Sequence, residues 1–262
     1  MIPKIIHYCW FGGNPLPESA KKCINSWKKF LPDYEIWQWS EAPLHENEDE
    51  NCIPDKVMTF DVNCITYTKE AYEAKKYAFV SDYARYDILY QRGGVYFDAD
   101  VEVIAPMGDI IAKGPYMGIE VPAKVGVTPM VNPGLGIGAP AGLDFYKKVL
   151  DYYSTLHFLG KDGKPNEVTI VTHTSKVLAE SGMKPVNEIQ QVEGIWIYPV
   201  DYFNPLNDLT GKIEKTNNTR SIHWYGKTWM NQSASFRNKI TRILHRYLGV
   251  EFVHKVGSII RR

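Results

Sequence analysis

Residues 93–103 read Gly93-Gly94-Val95-Tyr96-Phe97-Asp98-Ala99-Asp100-Val101-Glu102-Val103. A double glycine followed by strand formers predicts a chain that ends a helix and enters a buried β-strand. In an extended strand successive side chains face opposite ways. Val95, Phe97, Ala99, Val101 and Val103 then share one face, toward a core, while Tyr96, Asp98, Asp100 and Glu102 share the other. Carboxylates gathered at the end of an apolar strand repel one another unless a cation sits between them. Hard divalent ions take such oxygen ligands, and Mg²⁺ or Mn²⁺ commonly bridges carboxylates to substrate phosphates. The stretch therefore predicts a metal–diphosphate site at a strand terminus, against the plainer reading of a solvated β-edge. An EF-hand does not fit, because the spaced loop ligands and central glycine are missing.

Working outward, the chain opens with an apolar strand, Ile5 to Trp10, and a breaker-rich turn, Phe11-Gly12-Gly13-Asn14-Pro15. A helix from Ser19 to Phe30 and a second strand from Tyr34 to Trp39 follow. This β-loop-α-β opening suits a nucleotide-binding α/β sheet. Residues 41–56 are acidic and loop-like, and 67–91 form the longest helical stretch. A break is expected near Val80-Ser81, with Ser81 as a cap and Asp82 in the first turn. Further strands are expected over Tyr116–Glu120, Gly134–Ala139, Gly194–Val200 and Ser221–Tyr225, and helices over Leu143–Leu156 and Thr174–Ser181. The glycines of Gly134–Ala139 suit close approach of backbone to a ligand, or plain bulges.

The 262 residues carry a formal net charge of zero, which gives nucleic acid no electrostatic footprint across the chain. Cys9, Cys23, Cys52 and Cys64 make no C-x-x-C pair, so reduced, mostly buried thiols are expected rather than zinc. No signal peptide is expected from the opening residues, the sequence has no run of eighteen apolar residues, and the expected location is cytoplasmic. Residues 236–262 differ: seven Lys/Arg accompany one acid, Glu251, with Ile240, Ile243, Leu244, Tyr247 and Leu248 at helical spacing. Two readings stand: attachment of a basic amphipathic helix to the inner face of an anionic membrane, or a C-terminal helix packed on the domain with a solvated basic face. The expected division is a catalytic domain over 1–235 and this segment over 236–262.

Three further groups accompany the acidic strand. His7 and Trp10 end the first strand, where a nucleobase could stack. Asp82 and Arg85 sit three apart on one helical face. His223, Thr228 and Trp229 lie in a late strand and loop. Taken alone, Trp10 reads as readily as core packing, Asp82 and Arg85 as readily as an intrahelical ion pair, and His223 more readily as a satisfied polar residue than as a ligand.

Together, Ile2-Pro3-Lys4-Ile5-Ile6-His7-Tyr8-Cys9-Trp10, Ser81-Asp82-Tyr83-Ala84-Arg85-Tyr86 and Gly93 to Asp100 resemble glycosyltransferase family 32, the DXD sugar-transferases. The resemblance is strongest over residues 2–105 and continues through Asn132–Pro140 and His223–Trp229. It implies a GT-A-type, Rossmann-like nucleotide-sugar transferase fold with a mixed central sheet. It also implies Mn²⁺ or Mg²⁺ as cofactor, a nucleotide-sugar donor (a UDP-sugar first, GDP-mannose as alternative) and transfer with retention to a glycan hydroxyl. By position, Asp98 would touch the ribose and the metal, and Asp100 would ligate the metal. Asp82 and Arg85 would hold donor-sugar hydroxyls, with Arg85 also near the phosphates. His7, Trp10 and Tyr96 would border the donor, Asn132 would lie near the transferred sugar, and His223 would complete the metal shell. Trp229, beside Thr228, would donate to the β-phosphate. The family's Thr-Gly-Pro stretch is replaced by Val171-Thr172-His173-Thr174, and its Ser-Trp by Thr228-Trp229. A soluble transferase with a basic tail suits a lipid-linked glycan acceptor in bacterial capsule or other surface polysaccharide. The competing readings are a noncatalytic carbohydrate- or nucleotide-binding protein and a metal-dependent phosphohydrolase.

Overall fold

The computed structural model describes residues 1–42 and 54–226. In chain order it contains β1 (Ile5–Cys9), α1 (Glu18–Phe30), β2 (Glu35–Ser40), β3 (Lys56–Thr59), α2 (Thr66–Glu73), α3 (Tyr77–Arg92), β4 (Gly94–Tyr96), β5 (Val101–Val103) and α4 (Gly108–Ile111). Then come β6 (Tyr116–Val121), β7 (Met130–Val131), a 3-10 turn (Pro133–Leu135), β8 (Ile137–Ala139), α5 (Asp144–Ser154), α6 (Ile170–Glu180), β9 (Gln190–Val192), β10 (Ile195–Tyr198), α7 (Val200–Phe203) and β11 (Ser221–His223).

The main sheet runs β3-β2-β1-β4-β8-β6-β10-β9, with β7 beside β6. β1 pairs in parallel with β2 and β4, and β2 with β3, whereas β4 and β6 flank β8 antiparallel. The expected α/β class with a mixed central sheet is what forms. Both faces are covered. Period-two alternation sends Val95 and Phe97 of the β4 stretch into one core with Ile6, Tyr8, Ile24 and Trp27, and Tyr96 into the other with Cys9, Tyr83 and Tyr86. The order 3-2-1-4 places a topological switch between β1 and β4, and a crevice opens beyond their carboxyl ends.

Four expectations need correction. The acidic stretch is not one strand. Its chain turns at Ala99-Asp100, and β5 leaves to pair with β11 in a separate two-stranded sheet. Asp98 and Asp100 thus sit in a turn joining two sheets, and Tyr96 is buried in the core with its ring at the crevice wall. The long helical stretch breaks at 74–76 rather than at Val80-Ser81. Lys75 takes a left-handed φ of 58° there, while Ser81 stays in α3 by returning its hydroxyl to the Tyr77 carbonyl (3.2 Å). Residues 133–135 are a 3-10 turn before a shorter strand, and the helix expected from Thr174 begins at Ile170. The expectation of reduced, mostly buried thiols holds among the described cysteines: Cys9 and Cys23 are buried free thiols, and Cys64 is a free thiol that is exposed. Cys52 and the 236–262 segment lie outside the described residues.

Candidate active site

The crevice has a volume of about 1030 Å³ and is lined by Trp10, Asp82, Arg85, Tyr96, Asp98, Asp100, Glu120, Asn132, His223 and Tyr225, among others. Each wall has a local cause. α1 buries Ala20, Cys23, Ile24 and Trp27 at helical spacing, and Trp27 Nε1 donates to the Val101 carbonyl (2.7 Å), fixing the start of β5. α3 ends at Gly93, whose φ of 65° reverses the chain into β4.

Asp82 and Arg85 are brought together as a buried pair, Nη2 to Oδ1 at 3.0 Å. The same Nη2 lies 3.3 Å from Asp98 Oδ1, so one guanidinium ties α3 to the acidic turn. Its Nε donates to the Ser81 carbonyl (3.1 Å), its plane covers the Tyr96 ring, and Nη1 is buried without a partner. A buried donor left open in a cleft suits an anionic or hydroxyl-bearing ligand. Burial, aided by Asp98 and only partly offset by Arg85, pushes the Asp82 carboxyl up to about 7. Arg85 is held further toward its cationic form by Asp98, Tyr96 and Asp82, against its own burial.

Asp98, Asp100 and His223 each present a ligand atom, all within 4.8 Å of one another. His223 arrives because β11 pairs antiparallel with β5, which places it opposite Val101. Its Nε2 lies 3.0 Å from Asp100 Oδ1, and Gly226 N–H donates to Asp100 Oδ2 (2.7 Å). Burial disfavours charge on either partner, yet their attraction prevails: Asp100 is held down to about 2 and His223 up to about 9. Two carboxylates and an imidazole form an O,O,N donor set that fits a divalent metal ion. An ion bound there would compete with the imidazole proton, so its uptake would release that proton.

The 3-10 turn explains the glycine signal. A Cβ on Gly134 would lie 2.0 Å from Asp98 Oδ2, so this glycine makes room for the acidic turn. Asn132 lines the cleft and spends its Oδ1 on the Gly134 N–H (2.7 Å). Trp10 lines the cleft with its Nε1 on the Asn14 carbonyl. His7 is not brought to the site. It is fully buried, accepts from Trp39 Nε1 at Nδ1 (3.1 Å) and donates from Nε2 to the Gly93 carbonyl (2.9 Å). That corrects the expectation that it borders the donor. Thr228 and Trp229 lie outside the described residues. Glu120, Tyr225 and Gly226 were missed. Glu120 could have been flagged as a carboxylate at the carboxyl end of an apolar strand, whereas Tyr225 has no local signal.

Residues 17–117 match the family described as "glycosyltransferase sugar-binding region containing DXD motif". An inositol phosphoceramide mannosyltransferase of Schizosaccharomyces pombe is 29% identical over 119 residues, 44% of this chain and 33% of that protein. The chain thus spans about a third of that relative's length. An uncharacterized glycosyltransferase of Acanthamoeba polyphaga mimivirus is 25% identical over 79% of this chain and 77% of its own. Among solved structures, the PaToxG glycosyltransferase superposes with a TM-score of 0.51 at 18% identity, covering 68% of this chain and 69% of that one. The fold is of the GT-A glycosyltransferase type. Family match, relatives and fold agree on one enzyme class, a glycosyltransferase.

Proposed function

We propose that this chain is a family 32 type, metal-dependent, retaining glycosyltransferase that moves a hexose from a UDP-sugar to a hydroxyl of a lipid-linked glycan. The observation that carries the reading is the convergence of Asp98, Asp100 and His223 beside the Asp82–Arg85 pair at the switch-point crevice. A divalent ion held by those three residues would neutralise charge on the departing nucleoside diphosphate. The chain's own residues do the rest. Arg85, permanently cationic and with Nη1 free, meets donor oxygens without reorganisation. Asp82, aligned by Arg85 and by the Ile170 N–H at the start of α6, orients sugar hydroxyls. Trp10 borders the base and Asn132 the transferred sugar, and Thr228 and Trp229, which lie outside the described residues, take the β-phosphate role that the family resemblance implies. On this reading the acceptor oxygen bonds to the anomeric carbon, on the same face, as the bond to the leaving phosphate breaks, and that phosphate takes the hydroxyl proton, so configuration is retained.

A second reading has its own support. The S. pombe relative is named for mannosyl transfer to inositol phosphoceramide, a lipid; for this chain that supports GDP-mannose as the alternative donor and agrees with a lipid-borne acceptor. The intact acidic and Asp82–Arg85 sets argue against a noncatalytic binder.

The test is a screen of nucleotide sugars with Mn²⁺ against Mg²⁺, read by release of nucleoside diphosphate. One UDP-sugar is expected to turn over with either ion, and Asp100→Asn is expected to lose turnover and metal-dependent donor binding while keeping its far-ultraviolet circular dichroism. Full activity of Asp100→Asn in excess EDTA would overturn the reading, and turnover of GDP-mannose alone would replace the donor.

A further inference from the structure

The segment after β11 wraps one acidic residue. Trp224 N–H donates to the Asp100 carbonyl (3.0 Å), His223 Nε2 meets one carboxylate oxygen and Gly226 N–H the other. Between them stands Tyr225, a non-glycine residue at a φ of 50°. Left-handed backbone at a bulky residue persists only where its surroundings over-determine it, and such positions gather at functional sites. The surroundings here are specific. The single Tyr225 hydroxyl proton is shared between Glu120 Oε1 and Asn204 Oδ1, each 2.9 Å from the phenolic oxygen. Asn204 is oriented for this by its own NH₂, which donates to the Glu120 carbonyl (3.2 Å). The Tyr225 ring packs on the His223 imidazole, with centroids 4.2 Å apart. Tyr225 therefore bridges β6, on one wall, to the segment that carries His223 and Gly226 on the other.

We propose that Tyr225 is a positioning residue: anchored by Glu120 and Asn204, it holds the His223–Gly226 segment in the one conformation that completes the metal shell around Asp100. It touches neither the reacting atoms nor the ion. It acts by fixing the His223 ring from beneath and by carrying the strained turn that delivers Gly226 N–H to Asp100. The inference rests on the proposed metal site. Partners that orient a metal ligand cost 10- to 100-fold in affinity when removed.

The experiment measures Mn²⁺ binding to the full chain, by titration calorimetry and by loss of the free-ion electron paramagnetic resonance signal. Tyr225→Phe keeps the ring and loses the anchor, and is expected to bind Mn²⁺ roughly 10-fold more weakly than wild type. Its circular dichroism should be unchanged, and its KM for metal should rise more than its kcat falls. Glu120→Gln keeps an acceptor for the tyrosine and removes the charge, and is expected to stay within about threefold of wild type, well short of that loss. Equal loss in both variants would assign the effect to the Glu120 charge and overturn the latch. So would unaltered binding in Tyr225→Phe. If Tyr225→Phe does not fold, Asn204→Ala removes one of the two acceptors, and normal Mn²⁺ affinity in it would likewise overturn the latch. Wild type that binds no Mn²⁺ at all defeats the metal reading itself, a result distinct from failure of the latch alone.

Discussion

At the scale of single residues, identity alone separates poorly what packs from what reacts. His7 sits in an apolar run three residues before Trp10, and both read as border residues of a base site. Only the tertiary partners divide them: Trp39 and Gly93 take both ring nitrogens of His7, while Trp10 faces the crevice. The hydrogen bonds also fix the neutral form, with the proton on Nε2. Burial and the nearby Arg92 charge then hold His7 down to about 4, well below its ordinary 6.5, although its bond to the Gly93 carbonyl pulls the other way. The consequence has a definite sign. Above pH 6.5 the ring is neutral folded or unfolded, and stability is complete. As pH falls toward 4 the unfolded chain takes a proton that the native one refuses, and stability is lost. At pH 5 the loss from this residue is roughly 2 kcal/mol, a large part of a typical 5–15 kcal/mol. Urea unfolding of wild type and His7→Gln at pH 7.5 and pH 5 measures it. The variant should be less stable at pH 7.5 yet show a smaller drop between the two, with an unchanged KM for donor. A wild-type drop no larger than the variant's, or a donor KM that shifts, would return His7 to the binding site.

Elements were legible where the hydrophobic pattern was strong and local. α1, α5 and the strands β1, β2, β6 and β10 lie within a few residues of their sequence expectations because their buried sides recur at periods of 3.6 or 2. What escaped was short and peripheral. β3 (Lys-Val-Met-Thr) and β9 (Gln-Gln-Val) form the two ends of the sheet path, where one side needs no partner and polar residues guard the edge, so neither carries a hydrophobic signature. The acidic motif was read in the right place but as a strand, since nothing local announces that β5 deserts the main sheet for β11. The 3-10 turn is the element that holds this junction. The Asp98 N–H donates to the Gly134 carbonyl (3.2 Å), and the Asp98 carboxylate packs where a Cβ of residue 134 would be. The Gly134 backbone lies outside the left-handed region, so alanine is allowed by conformation and forbidden by contact. Gly134→Ala is therefore expected to displace the Asp98 carboxylate, weaken Mn²⁺ and nucleotide binding roughly tenfold or more, and lower Tm by a few degrees. Calorimetric titration with Mn²⁺ checks it; wild-type affinity in this variant would mean that Asp98 has room the packing denies it.

At the scale of the whole molecule, the site follows from topology: the order 3-2-1-4 places a crevice past β1 and β4, and the residues quoted first from the sequence are those that follow β4. The third metal-ligand candidate, on β11, and Tyr225 just after it come more than a hundred residues later, and only the family resemblance, not a local pattern, points to His223. Charge is divided just as unevenly along the chain. The protein as a whole is neutral, so the seven Lys/Arg against one Glu in residues 236–262 leave the remainder net acidic. No helix of the described residues is long and apolar enough to cross a membrane. If the acceptor is lipid-linked, as proposed, it is met at a surface, and a net acidic 1–235 is repelled from anionic lipid unless a basic segment offsets it. Each Lys or Arg near such a surface contributes about 1 kcal/mol, enough in sum to hold the enzyme there at low salt. Removing residues 236–262 is expected to abolish co-sedimentation with phosphatidylserine vesicles and to lower transfer to a lipid-borne acceptor. Release of nucleoside diphosphate from donor in free solution should change little, because the crevice residues and Thr228-Trp229 all precede the cut. The full chain should leave the vesicles as salt is raised and ignore neutral phosphatidylcholine. Equal sedimentation with and without the segment would assign it instead to packing on the domain, and a loss of donor turnover in free solution would show that the fold, not the membrane, needs it.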